Sequence, residues 1–142
     1  VVSSDRSVSG VVPGAVLVVI SDLLFRSRID DVARRLGVPL RVAKSVTQLE
    51  RHLAAGAPIM AIVDLEIDTM DPVESITRIR NAAGGADTRL IAFAGHTNLD
   101  AIRAGRAAGA GVVLARSAFV TQLPALLGRL TEARRSAPPA AS

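Results

Sequence analysis

Five short aliphatic runs, spaced by segments of helical period, constrain this chain more than any other feature. They are Ala15 to Ile20 (AVLVVI), Val38 to Val42 (VPLRV), Ile59 to Val63 (IMAIV), Leu90 to Ala94 (LIAFA) and Val112 to Ala115 (VVLA). An apolar run without polar alternation is the pattern of a strand buried on both faces. Pro39 and Arg41 set the second run near a sheet edge, because proline cannot donate to a ladder. With 142 residues and a hydrophobic content of 49%, the chain is long enough for one domain with a full core.

The intervening segments read as helices. Phe25, Ile29, Val32 and Leu36 line one side of the first, and Gly37 ends it. Val46, Leu49 and Leu53 mark a short second helix. A third starts at Pro72, carries Val73, Ile76, Ile79 and Ala83 as its apolar stripe, and stops at Gly84-Gly85. Thr97 or Asn98 caps a fourth, with Leu99 and Ile102 inward and Arg103 and Arg106 outward. Ser117 caps the last, with Phe119, Leu123, Leu126, Leu127 and Leu130 on one side. Helical crossovers force parallel strands, and right-handed connections cover both faces of the sheet. The fold class is therefore α/β, a doubly wound five-stranded parallel sheet over residues 15–133. Residues 1–14 read as a flexible leader and 134–142 as a loose Ala/Pro tail.

Composition narrows the chemistry. The absence of cysteine excludes disulfide scaffolds, thiolate metal sites and thiol catalysis. No apolar run is long enough to span a bilayer and none reads as a signal peptide, so a cytoplasmic protein without membrane contact is expected. The net charge of +4 comes from arginines scattered over every helix, and the only aromatics are Phe25, Phe93 and Phe119. Without a basic stripe or a stacking platform, direct nucleic-acid binding is not expected. The glycines form no phosphate loop, and no Ser/His/Asp set has nucleophile-elbow context. His96 and His52 read as solvated side chains, while Asp68, Asp71 and Glu74 read as capping groups for the third helix.

Doubly wound folds gather their sites at the carboxyl ends of the strands. That rule brings together Ser21 and Asp22 after the first strand, Asp64 after the third, Ala94, Gly95 and His96 at the fourth, and Arg116 after the fifth. A carboxylate directly after a fully apolar strand is costly to bury, which marks Asp64 as a site residue. Glu66, two places on, either shields Asp64 or points into solvent.

From Ala15 to about Leu130 the chain resembles the receiver domains of response regulators. IVDLEI at Ile62 to Ile67 looks like their phosphoacceptor segment, with Asp64 as acceptor. The spacing from Asp64 to Ala94 and on to Arg116 matches the family's spacing from acceptor to hydroxyl residue to lysine. AAGAG at Ala107 to Gly111 is similar to the turn before its fifth strand. The resemblance implies a flavodoxin-like sheet of order 2-1-3-4-5. It also implies Mg²⁺ at Asp64, with Asp22 as the remaining carboxylate, since Ile20-Ser21 stands where the family has an acidic pair. Ala94 replaces the hydroxyl residue, Arg116 the lysine, Ser117 the proline after it, and Val113 the aromatic switch residue.

These departures lead to the expected function: an atypical receiver of two-component signalling, a non-enzymatic interaction module that is phosphorylation-independent or weakly phosphorylated. Arg116 paired with Asp64 would fix one conformation. The resemblance places the partner surface on the fourth helix, fifth strand and fifth helix, with Arg103, Arg106, Val113, Phe119 and Gln122. An acidic protein partner, an output domain in a larger parent chain, or a homodimer would suit it. Two other readings stand beside this one: a working phosphoacceptor at Asp64 with Mg²⁺, and a flavodoxin-like module that binds a small ligand at the same edge.

Overall fold

The apolar runs form the five strands: β1 (Val16–Val19), β2 (Leu40–Ala43), β3 (Met60–Asp64), β4 (Arg89–Ala94) and β5 (Val112–Ala115). All neighbours pair in parallel, in the order β2-β1-β3-β4-β5. The helices are α1 (Leu23–Leu36), α2 (Val46–Leu53), α3 (Pro72–Asn81), α4 (Leu99–Ala108) and α5 (Arg116–Ser136). The structure, a computed structural model, describes residues 15–136. The leader over residues 1–14 lies outside the described residues. The tail expected from Arg134 begins inside α5, which continues to Ser136, and the rest of it also lies outside.

Strand alternation sends side chains to two cores. Val16, Val18 and Ile20 face α1 and α5, where they meet Phe25, Ile29, Phe119, Leu123 and Leu127. Leu17 and Val19 face the other way, toward Leu49 of α2 and Ile76 and Ile79 of α3. Each aliphatic side chain buried in these layers contributes about 1.5–3 kcal/mol of transfer free energy. The three phenylalanines join α1, β4 and α5 in one stack, with ring centroids 4.6 Å (Phe93–Phe119) and 4.8 Å (Phe25–Phe93) apart.

Several helix details differ from the sequence reading. Val73 and Leu99 are exposed, not inward, and Ala83 lies beyond α3 and is exposed. Ser75 takes the buried place beside Ile76, its hydroxyl donating to the Asp71 carbonyl. α3 ends at Asn81, ahead of the glycines, and Gly84 with φ +81° opens a 3₁₀ turn over Gly85–Asp87. Gly85 admits no side chain, since a Cβ there would lie 2.0 Å from the Ile79 carbonyl oxygen. Ser117 does not cap α5, because the helix begins one residue earlier, at Arg116. His52 is half-buried; its Nε2 lies 3.1 Å from the Val42 carbonyl and covers part of the open β2 edge.

Arg80 fastens the end of the sheet opposite the candidate site. Its Nε and Nη2 donate to the Gly109 carbonyl at 2.9 and 2.7 Å, and Nη1 donates to Gly85 and Thr88 at 2.9 and 2.7 Å. One planar fork thus ties the α3 exit, the 3₁₀ turn and the α4–β5 turn. Replacing Arg80 with Ala strands these carbonyls and is expected to cost about 2–3 kcal/mol. Urea unfolding with an unchanged slope checks this, and Arg80→Lys is expected to recover only part of the loss.

Candidate functional site

Because every strand runs the same way, the ends of β1, β3, β4 and β5 share one edge. Asp64 closes β3 in register with Phe93, and the Leu65 N–H still donates to the Phe93 carbonyl at 2.9 Å. That last ladder bond draws the Asp64 carboxylate into the sheet edge, where the residue is 4% exposed. Its Oδ1 accepts the Glu66 N–H at 2.9 Å and lies 3.4 Å from Arg116 Nη2. Arg116 opens α5 with its guanidinium 5.0 Å from the ring centroids of both Phe25 and Phe93. The cation therefore rests on the phenylalanine stack while facing the carboxylates.

Glu66 is exposed, yet its carboxylate is held across the sheet edge beside Asp64. Its Oε1 accepts the Gly95 N–H at 3.0 Å and Arg116 Nη2 at 2.7 Å, and its Oε2 accepts the Asn98 side-chain amide at 2.8 Å. Asn98 also caps α4, its Oδ1 accepting the Ala101 N–H. Of the two expected caps, Asn98 is the one used. Loop residues after β3 and β4 and the first residue of α5 are thereby joined through one carboxylate.

The other expected site residues lie nearby with different partners. Ile20, where the resemblance wants an acid, is in the core. Ser21 donates through Oγ to Asp68 at 3.1 Å, so Asp68 links two loops and does not cap α3, a task that falls to Asp71. The Asp22 carboxylate caps α1, its Oδ1 accepting the Phe25 N–H at 3.1 Å. Ala94 is buried and has only a methyl group to present. A pocket of about 510 Å³ opens beside Arg116 between α1 and α5, lined by Asp22, Leu24, Phe25, Arg28, Gly95, His96, Ser117 and Val120. On the expected partner face Arg103, Arg106 and Gln122 are exposed and Val113 is half-buried. Phe119 is not part of that surface: it is fully buried, stacked on Phe93.

The two carboxylates are displaced in opposite directions. Burial pushes the Asp64 carboxyl above its ordinary 3.8; the Glu66 N–H bond and the Arg116 charge oppose the rise without cancelling it. Glu66 is held below its ordinary 4.5, first by the Asn98 bond and next by the Arg116 bond. Sequence reasoning missed the three-donor set around Glu66. Its signals were the two-residue offset from Asp64, which brings Glu66 back to the sheet edge, and an Asn at a helix start.

No family model and no curated protein matches the chain. Solved structures do. A receiver domain of a sensor histidine kinase from Pseudomonas aeruginosa, described with a magnesium ion in its active-site cleft, is 18% identical with a TM-score of 0.71; the match covers 85% of this chain and 99% of that one. The signal receiver domain of a DNA-binding response regulator from Colwellia psychrerythraea is 21% identical, TM-score 0.70, over 83% and 98%. A chemotaxis response regulator of Vibrio cholerae is 19% identical, TM-score 0.66, over 84% and 99%. The chain has the receiver-domain fold.

Magnesium needs several oxygen ligands in near-octahedral geometry. The residues here do not fit it. Ile20 offers no side-chain oxygen, Asp22 Oδ1 is taken by the α1 cap, and both Glu66 oxygens accept from protein donors. Among the described residues no cluster of three or more His or acidic side chains could hold a metal ion.

The Asp64 shift has a consequence for stability. A carboxyl whose folded-state pKa is raised destabilises the fold once ionised; that cost is full above the folded-state pKa, fades as pH falls from there toward 3.8, and is gone below it. Asp64→Asn, which keeps an acceptor for the Glu66 N–H, is expected to raise the melting temperature at neutral pH. Calorimetry along a falling pH series should show the advantage closing.

Proposed function

We propose that this receiver-fold domain is an interaction module that signals without depending on phosphate at Asp64, and that it is not an enzyme. The observation that carries the reading is the shared cation: Arg116 Nη2 meets both Asp64 and Glu66, at 3.4 and 2.7 Å. Phosphoryl transfer to a carboxylate relies on positioned positive charge to offset the charge of the incoming group. Here the positioned cation is already engaged by a carboxylate belonging to the chain, and that second negative charge repels an anionic donor. Ala94 adds no hydroxyl to bind a phosphoryl oxygen, and the donor set around Asp64 does not suit magnesium.

The side chains of α4 and β5 support a docking role. Arg103 and Arg106 are exposed on α4, as are Leu99 at the start of that helix and Val112 at the start of β5. Exposed basic residues match an acidic protein surface, and such charge complementarity steers association and fixes register. Among the described residues no helix is long and apolar enough to cross a membrane.

Incubation with a small-molecule phosphodonor and Mg²⁺, followed by intact-mass measurement, tests the reading. The expected outcome is little or no phosphate addition; rapid stoichiometric addition that disappears in Asp64→Asn would overturn it. Charge reversal at both Arg103 and Arg106 is expected to weaken binding to an acidic partner roughly tenfold or more, read by calorimetric titration.

A further inference from the structure

The sheet has one edge that its own helices cover only in part. The Val16 and Ile20 amides donate to the Pro39 and Ala43 carbonyls, so Pro39, Arg41 and Ala43 turn their main-chain groups toward β1. Leu40, Val42 and Lys44 therefore turn theirs outward, where a sixth strand would lie. Two side chains of α2 stand in for part of such a strand. His52 Nε2 lies 3.1 Å from the Val42 carbonyl, and Gln48 Oε1 accepts the Lys44 N–H at 2.9 Å. One residue of a parallel strand opposite Ala43 would make this same pair of bonds, donating to one carbonyl and accepting from the amide two residues on. The matching pair opposite Arg41 is the Leu40 carbonyl and the Val42 N–H. Among the described residues neither of these has a partner.

A groove of about 390 Å³ runs along this edge between α1 and α2. Leu40 and Val42 are half-buried on the α1 side, packed against the core, and strand alternation sends Arg41 to the α2 side. Lys44 is exposed just past the end of β2. Among the described residues neither Arg41 nor Lys44 is in an ion pair, whereas Arg26, the third cation of the groove, already faces Asp30 at 3.6 Å. We propose that the β2 edge docks an extended acidic segment of a partner protein, which adds to the sheet as a sixth, parallel strand. Main-chain bonds to the Leu40 carbonyl and the Val42 N–H hold it, and alternate side chains supply selectivity. A carboxylate on the residue opposite Arg41 faces that guanidinium across the seam, and aliphatic residues on either side of it pack on Leu40 and Val42. Lengthening the strand past Ala43 displaces Gln48 and His52, so these two side chains set how far it extends. A second copy of the chain suits the edge less well. A two-fold axis would pair β2 antiparallel with itself, bringing two sets of Arg41 and Lys44 to one seam. This surface lies at the opposite edge of the sheet from β5 and is separate from the Arg103 and Arg106 face.

The probe is a short peptide of alternating Glu and Val with blocked ends, titrated into the full chain while backbone amide shifts and hydrogen exchange are followed. Saturable shifts at Leu40 and Val42 are expected, with exchange of the Val42 N–H slowed roughly tenfold or more. The same peptide with Lys in place of Glu should give no saturable response. A version N-methylated at each Glu keeps the charge and loses the main-chain donors; it should bind roughly tenfold or more weakly. Arg41→Glu is expected to lose the Glu peptide and accept the Lys peptide. Gln48→Ala combined with His52→Ala, which uncovers the rest of the edge, is expected to tighten binding roughly threefold or more.

The unaltered chain with no saturable shift at Leu40 and Val42 overturns the proposal. So does equal binding by the N-methylated peptide, because the contact is then charge attraction without a strand. A chain that dimerises on its own, with amide shifts centred on β2, makes a second copy the occupant and overturns the acidic strand.

Discussion

One guanidinium organises the functional edge of this fold. Arg116 lies over the faces of Phe25 and Phe93 and directs Nη2 at two carboxylates that would otherwise repel each other. The parallel sheet makes this unavoidable, because in-register strands deliver Asp64, Ala94 and Ala115 to the same edge, with Arg116 the next residue after β5. The phenylalanine stack then fixes the height at which the cation sits. Aliphatic burial builds the platform, and electrostatics decides what the platform can do.

The two carboxylates share a cation yet are treated differently by their surroundings. Asp64 is buried at the sheet edge with Oδ1 against a backbone N–H and the long Arg116 contact, so desolvation dominates. Glu66 is more exposed and better bonded, so its donors dominate. The same Glu66 contacts tie together the β3–α3 loop, the β4–α4 loop and α5, and Ser21–Asp68 adds the β1–α1 loop. The loops of this edge are thus coupled through polar contacts made by the chain itself.

Much of this was legible in the residues. The aliphatic runs defined all five strands, and strict alternation of strand and helix left little choice of topology. Asp64 stood out because an acid after an all-apolar strand is expensive without a purpose, and Arg116 followed from the same edge rule. What the sequence hid were the choices a side chain makes between competing partners. Asp22 was offered as a metal ligand, and in the structure its carboxylate caps α1. Glu66 had two open directions, and only the tertiary approach of Gly95 and Asn98 selects one. Phe119 was read both as an inward helix residue and as surface; packing against Phe93 settles it inside. Arg80 gave no signal at all, since its carbonyl partners are brought together only by the fold. Val73, Ala83 and Leu99 failed for a simpler reason: apolar residues near helix ends fit the period but lie beyond the reach of the sheet.

Carbon-13 titration of the side-chain carboxyls tests the shared-cation arrangement most directly. The account requires Asp64 to titrate above its ordinary 3.8 and Glu66 below its ordinary 4.5 in the same sample, with Arg116→Ala moving both upward. Two ordinary titrations, or a Glu66 that ignores the loss of Arg116, would contradict it.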